Sequence, residues 1–369
     1  MKKITIILSL TIGIFIISII FFSYIYFLST QVASSPKQFL GNCNIIKYSG
    51  EHVIDIVIFA DEKTAINYSN SLFEVSPFNS SKETFNFFYI DDYTPKCELY
   101  KGIALLCYSK ELIKRASSCP NDYILVIGNS EKTIRSSAYM NVMSLNSQHT
   151  KAVFYHEFGH VFANLADEYI PAKIPVNSKN CVVSCDKFTE EIDGCFQGCS
   201  DSAHFRSIEN GLMRTLAAKN YGVFNEMLMK EKLKKSSTSI TAKAIEQISD
   251  CTKREYYLIE GVYSNEEIQV LNKSIETGCI GLNGAGDFSY RLILSNNVIL
   301  TEEEFNPEFI FTDTPNQEKI AGEVFISDNP FYLKIPVIEN LDSVQILKNN
   351  KVVSEINLKD IGARPCKNE

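Results

Sequence analysis

Histidine is scarce in this chain, with five in 369 residues, so two of them four positions apart are not a compositional accident of a histidine-rich protein. Basic charge is short as well. Lys and Arg total 36 against 44 Asp and Glu, a formal net charge of -8, and no basic tract offsets it. Non-specific nucleic-acid binding needs a basic surface to displace counterions from phosphate, so we expect no nucleic-acid partner. Internal repeats and low-complexity tracts are also missing, which excludes solenoids and biased linkers. What remains is 45% apolar and 22% charged residues, ordinary globular composition in a chain long enough for two domains.

The N-terminus departs from that composition. Residues 4–29 are uncharged and overwhelmingly apolar, and at ~1.5 Å per helical residue they can cross a hydrocarbon core of roughly 30 Å. Lys2 and Lys3 precede the run, and by the positive-inside rule they stay cytoplasmic. The expectation is a transmembrane signal anchor over 1–30, a stalk over 31–52, and a cell-membrane protein whose bulk lies outside the cytoplasm. A cleaved signal peptide, with Val32-Ala33-Ser34 as its processing site, is the competing possibility and makes the protein secreted. The eleven cysteines fit either address, because exported thiols pair as disulfides. Four of them, Cys181, Cys185, Cys195 and Cys199, form a C-x3-C-x9-C-x3-C block. Its spacings are not those of a structural zinc knot, so two bridges are expected.

Beyond the stalk, strand and helix patterns alternate. HVIDIVIFA (52–60), FNFFYIDD (85–92) and DYILVIGNS (122–130) read as strands, with helical periodicity over 61–75 and 109–118 between them. AYMNVMSL (138–145) reads as a fourth strand, at the sheet's edge. This alternation predicts an α/β domain over 53–250 with a mostly parallel sheet. From about Cys251 short strands follow one another between Asn, Gly, Pro and Asp clusters, which predicts an all-β, immunoglobulin-like sandwich over 251–369.

The segment VFYHEFGHVFANLADEY (153–169) carries the chemistry. On a helix His156 and His160 face the same way and can share one metal ion, while Glu157 can reach a metal-bound water without ligating the ion. This is the H-E-x-x-H arrangement of zinc peptidases. A chance match is expected on the order of once in a few hundred such sequences. Against it stands the cost of burying a glutamate and two imidazoles in an apolar helix without a partner, a cost that a metal removes. A catalytic zinc takes a third protein ligand. Asp167, seven residues after His160, would lie ~10 Å up the axis of a straight helix, out of reach. Asn164 tolerates the left-handed conformation that ends helices, so a break there can fold Asp167 or Glu168 back towards the metal, and Pro171 forbids the helix from resuming. His204, in DSAHFRS, is the rival third ligand. Tyr169 is a weaker candidate for an oxyanion donor, and His149 for support of the helix start.

HEFGHVFANLADEY resembles the active-site segment of the immunoglobulin-A-peptidase family of zinc metallopeptidases, the igalysins of the metzincin group. DIVIFADE (55–62) and DYILVIGNS resemble strands of that domain, and NGLMRTL (210–216) resembles the metzincin methionine turn. The resemblance spans about half the chain. It implies His156, His160 and Asp167 as zinc ligands, Glu157 as general base, Met213 as the apolar floor, and an appended sandwich. One departure stands out: metzincins show H-E-x-x-H-x-x-G/N-x-x-H/D, whereas Asn164 lies four residues after His160 and Asp167 seven. The inserted residue leaves the third ligand between Asp167 and Glu168, with Asp167 favoured because it keeps the N-x-x-D spacing.

The function expected from the sequence is a membrane-anchored, extracytoplasmic zinc metallopeptidase acting on a protein or peptide substrate held along the 138–145 strand. Glu157 serves as general base, and the sandwich is available to a surface partner. The alternative is a surface binding or adhesion protein that no longer cleaves.

Overall fold

A computed structural model of the chain describes residues 42–188, 192–238, 251–312, 323–325 and 328–358. These belong to one compact unit, Phe39–Glu369. The expected membrane segment at 1–30 lies outside the described residues. Among those described, no helix is long and apolar enough to cross a membrane.

In chain order the elements are β1 (Asn44–Lys47), β2 (Ile54–Phe59), α1 (Glu62–Leu72), β3 (Phe85–Ile90), β4 (Glu98–Tyr100), β5 (Ala104–Leu106), α2 (Lys110–Ala116), β6 (Tyr123–Gly128), β7 (Ser137–Tyr139), β8 (Val142–Asn146) and α3 (Lys151–Ala163). The hairpin β9 (Phe196–Cys199) and β10 (Asp201–Arg206) and the helix α4 (Val223–Thr238) follow. The C-terminal region supplies β11 (Glu255–Ser264), β12 (Glu267–Thr277), β13 (Phe288–Leu294), β14 (Ile299–Phe305), β15 (Ile310–Thr312), β16 (Glu323–Phe325), β17 (Asn329–Pro336), β18 (Leu341–Lys348) and β19 (Lys351–Asn357).

The expected fold class needs correction on three points. Strand, not alternating helix and strand, dominates: nineteen strands accompany four α-helices among the described residues. The principal sheet is mixed. Its order is β1-β3-β2-β6-β8-β7-β15-β16, with parallel pairing only across β3-β2, β2-β6 and β6-β8 and antiparallel pairing in β1-β3, β8-β7, β7-β15 and β15-β16. The mostly parallel metzincin-like sheet is therefore not the architecture. Nor does a separate sandwich follow it. The sheets β12-β11-β17 and β14-β13-β18-β19 do form, but β15 and β16 leave that region to complete the principal sheet.

Periodicity explains the joining. Alternate residues of β2 point to opposite faces. Ile54, Ile56 and Ile58 enter one apolar cluster with α1 and α3. Val57 and Phe59 enter a second, which runs without a break through Leu112, Tyr139, Leu258, Phe288, Phe331 and Val344. With both faces of the sheet buried, β2 reads as a continuous apolar run, as a central strand does. The 138–145 segment is likewise not an edge: it is the β7–β8 hairpin, with β6 on one side and β15 on the other.

Helix α3 packs against β7 and β8. Phe154, Phe158 and Phe162 lie on its apolar side. Phe78 meets Phe158 at 5.2 Å and Phe162 at 5.5 Å between ring centroids, edge to face. Each such ring stabilises the packing by about 1.5–3 kcal/mol through burial alone, so the helix that carries the histidines is firmly seated.

Candidate metal centre

Helix α3 ends where the sequence places its break. Asn164 adopts φ 51°, ψ 37°, its N–H bonds the carbonyl of His160 at 3.0 Å, and the N–H of Leu165 bonds that of Gly159 at 3.3 Å. The left-handed residue reverses the chain, and Asp167 returns beneath the helix. Its Oδ1 lies 3.0 Å from Nε2 of His156 and 3.3 Å from Nε2 of His160. The two Nε2 atoms are 3.1 Å apart. Among the described residues, these three side chains form the group that closes to metal-binding distance.

Tautomers follow from the partners of the other ring nitrogens. His156 Nδ1 is 2.8 Å from the carbonyl oxygen of Leu212, and His160 Nδ1 is 2.7 Å from that of Leu165. A carbonyl only accepts, so each Nδ1 carries a proton and donates it. The neutral rings then present unprotonated Nε2 lone pairs to each other and to Asp167. Burial holds His160 below its ordinary pKa, so protonation is disfavoured. Asp167 Oδ1 makes no well-formed hydrogen bond despite its short approach to both rings. Three electron-pair donors thus converge in a dry site. A tetrahedral zinc with bonds of ~2.0–2.1 Å sets its ligands about 3.3–3.4 Å apart. Separations of 3.0–3.3 Å suit that ion.

The surroundings orient these groups as supporting shells do in metal sites. Leu212 and Met213 lie in the 210–216 turn. Leu212 supplies the carbonyl for His156, and Met213 accepts from the N–H of Glu168 at 2.8 Å. Met213 is fully buried beneath α3, and Gly159 makes room for it: a β-carbon there would meet Met213 Sδ at 2.6 Å. On the far side, Ala166 exchanges hydrogen bonds with the Asn180 side chain, and Ser200 Oγ donates to the Asp167 carbonyl at 2.6 Å. Asn180 and Ser200 flank the Cys181–Cys199 bridge, which ties them together at the neck of a loop that Cys185–Cys195 closes further in. The remaining bridges are Cys43–Cys119, Cys97–Cys107 and Cys251–Cys279, while Cys366 lies outside the described residues.

The rival ligands are placed elsewhere. Glu168 points away from the histidines: its Oε1 accepts from Asn225 at 2.8 Å and Asn180 at 3.2 Å. Burial pushes its carboxyl up to about 7 against the pull of those asparagines. His204 binds Asp201 at 2.8 Å on the β9–β10 hairpin. His149 lies between Ser136 Oγ and the Lys132 carbonyl and does not cap α3. Tyr169 is buried in the apolar cluster. Glu157, one residue after His156, is wholly inside.

Sequence reasoning missed four contributors: Gly159, Asn180, Ser200 and Phe311. The Phe311 ring stacks on His160, with centroids 4.0 Å apart and planes at 12°, although it lies on β15, far along the chain. No spacing rule links residues so distant in sequence. The chain matches no protein-family model and no curated protein significantly, so its chemistry has to be argued from these side chains.

Proposed function

We propose that this chain is an extracytoplasmic, zinc-dependent hydrolase that cleaves peptide bonds in protein or peptide substrates. The observation that carries this reading is the convergence of two deprotonated imidazole nitrogens and one carboxylate oxygen within 3.3 Å of each other in a dry interior. Such a set is mutually repulsive until a cation sits among its lone pairs. Zinc bound there supplies Lewis-acid polarisation of a carbonyl and an acidic water.

The protein does the rest. His156 and His160 would hold the ion through tautomers fixed by Leu212 and Leu165. Asp167 adds a negative charge, held in place by the turn that Asn164 starts. Glu157 would serve as general base, accepting a proton from the attacking water and giving it to the departing amine. Its full burial excludes bulk solvent and strengthens each of these electrostatic steps. Five disulfides support an oxidising, extracytoplasmic setting.

One observation favours a second reading, a binding protein that does not cleave. His156, Glu157, His160 and Asp167 are 1%, 0%, 4% and 1% exposed, so no polypeptide reaches them in this conformation. Zinc content and casein digestion of the full chain beside Glu157→Gln separate the two. We expect one zinc per chain in both proteins and cleavage only with glutamate at 157. Stoichiometric zinc with no cleavage by either protein supports the binding reading.

A further inference from the structure

The cover over the centre is a strand of the same chain. Beside α3, β15 runs antiparallel to β7 through the pairs Phe311–Ala138 and Thr312–Ser137. Without β15, the outer edge of β7 would present a row of backbone donors and acceptors directly beside the histidines. Such a row is the template on which an extended peptide adds as a strand. The segment Asn306–Thr312, reading NPEFIFT, occupies it. Alternate residues of an extended chain share a face, and Phe309 and Phe311 both turn into the apolar cluster that contains α3. Their rings stack at 6.1 Å, and Phe311 lies flat on His160.

The ladder to β7 is short, although β15 also pairs with β16 at three positions and Ile310 is buried in the second cluster. β11 pairs with β12 along ten residues, whereas β15 meets β7 at two. Upstream, Asn329 donates to the Pro307 carbonyl at 3.1 Å, and the Tyr139 hydroxyl, which donates to Pro330 at 2.8 Å, also lies 3.3 Å from the Pro307 oxygen and so ties the segment to β17. A two-residue ladder opens at lower free energy than the body of a sheet, with β16 leaving β7 together with β15.

We propose that the outer edge of β7 is a groove for an extended peptide bearing aromatic residues at alternate positions, and that residues 306–312 fill it as an internal occupant. The folded chain therefore restrains itself, with Phe311 closing the metal centre and the parent cleaving only during the intervals in which β15 has left β7. The groove and its occupant are argued from pairing and packing alone; only the consequence for cleavage rests on the hydrolase reading. Displacement of β15 exposes the β7 edge and the open face of His160 together, so binding of a strand and access to the centre are one event.

The test uses the full chain, Phe311→Ala, and Tyr139→Phe, which loosens the segment without touching the centre and serves if the first variant folds poorly. Three readouts are compared: the rate at which a chelator strips bound zinc, binding of a fluorescent peptide NPEFIFT, and digestion of casein. Loss of one stacked ring contact corresponds to about a tenfold change in opening. We expect zinc to be stripped about that much faster from the variants, and the peptide to bind them but not the parent chain. A control peptide with both phenylalanines replaced by alanine should fail to bind. Equal stripping rates and no peptide binding by any form overturn the proposal, because β15 is then a fixed part of the wall. Peptide binding and faster stripping without casein cleavage sustain the groove and defeat the hydrolase reading. Full-rate casein cleavage by the parent, unchanged in both variants, does the reverse.

Discussion

Met213 Sδ fills the space that a side chain at Gly159 would need, 2.6 Å from the β-carbon position. A glycine inside a helix costs up to about 1 kcal/mol relative to alanine, so its place between the two histidines of α3 reflects the methionine pressed against it. Gly159→Ala should destabilise the chain by about 1–3 kcal/mol through overpacking and weaken zinc binding, because the displaced turn carries the Leu212 carbonyl. In a Met213→Ala background the same substitution should be neutral or stabilising. Urea denaturation of the four proteins of that double-mutant cycle measures the coupling; additive effects would show that the two residues do not meet.

Zinc should bind one per chain and raise the melting temperature as its concentration increases, since the site is assembled only in the folded state. His156→Ala, His160→Ala and Asp167→Ala should each weaken binding by more than the 10- to 100-fold typical of losing a supporting contact. Glu168→Ala should leave affinity far less affected, because its carboxyl faces Asn225 and Asn180. Competition against a chromophoric chelator decides this. An Asp167 variant that binds as tightly as the parent would remove the third ligand from the scheme.

How much of this was legible beforehand depended on range. The helix and its partners are local: the apolar run of α3, the His156–His160 spacing and the left-handed tendency of Asn164 all lie within one short stretch. From these, the return of Asp167 is foreseeable. Strands β2, β3 and β6 were also readable from β-branched apolar runs. Pairing direction was not. A single alternating pattern fits a parallel or an antiparallel neighbour, and nothing in EFIFT marks it as a strand that would cross to the principal sheet. The strands β12 (EIQVLNKSIET) and β14 (ILTEEEF) lacked a sustained apolar alternation of the kind that marks a strand. Phe311 escaped notice because only tertiary pairing brings it to His160.

The braced loop offers a separate check on the centre. Opening Cys181–Cys199 with a double serine substitution removes a closure 18 residues long, worth about 2–4 kcal/mol. It should also lower zinc affinity, because Asn180 and Ser200, the neighbours of the two bridged cysteines, hold the backbone at Ala166 and Asp167. Opening Cys251–Cys279 in the same way should cost comparable stability and leave zinc binding intact. Isothermal titration of the two double mutants, each at a temperature where it remains folded, distinguishes a local brace from a general one. If both lose affinity equally, the loop has no special tie to the site.

Far from the metal centre, Lys334 is fully buried and donates from Nζ to Asn121 Oδ1 at 2.6 Å. Burial pulls its amine down to about 7, although Asp122 and Glu303 favour the charged form. In the unfolded chain a lysine titrates near ~10.4. Between those values the unfolded state binds more protons than the folded one, so this group makes stability rise with pH, by up to about 1.4 kcal/mol per unit. Below the folded value the lysine is charged in both states, and the burial penalty is present in full. Unfolding free energy measured in urea at pH 7 and pH 9 should therefore increase in the parent by an amount missing from Lys334→Met, on the order of 1–3 kcal/mol. The methionine variant should be relatively most favoured at the acid end, where the parent carries a desolvated charge and the variant carries none. Parallel pH profiles for the two proteins would mean that Lys334 keeps its proton when folded and that Asp122 and Glu303 compensate its burial completely.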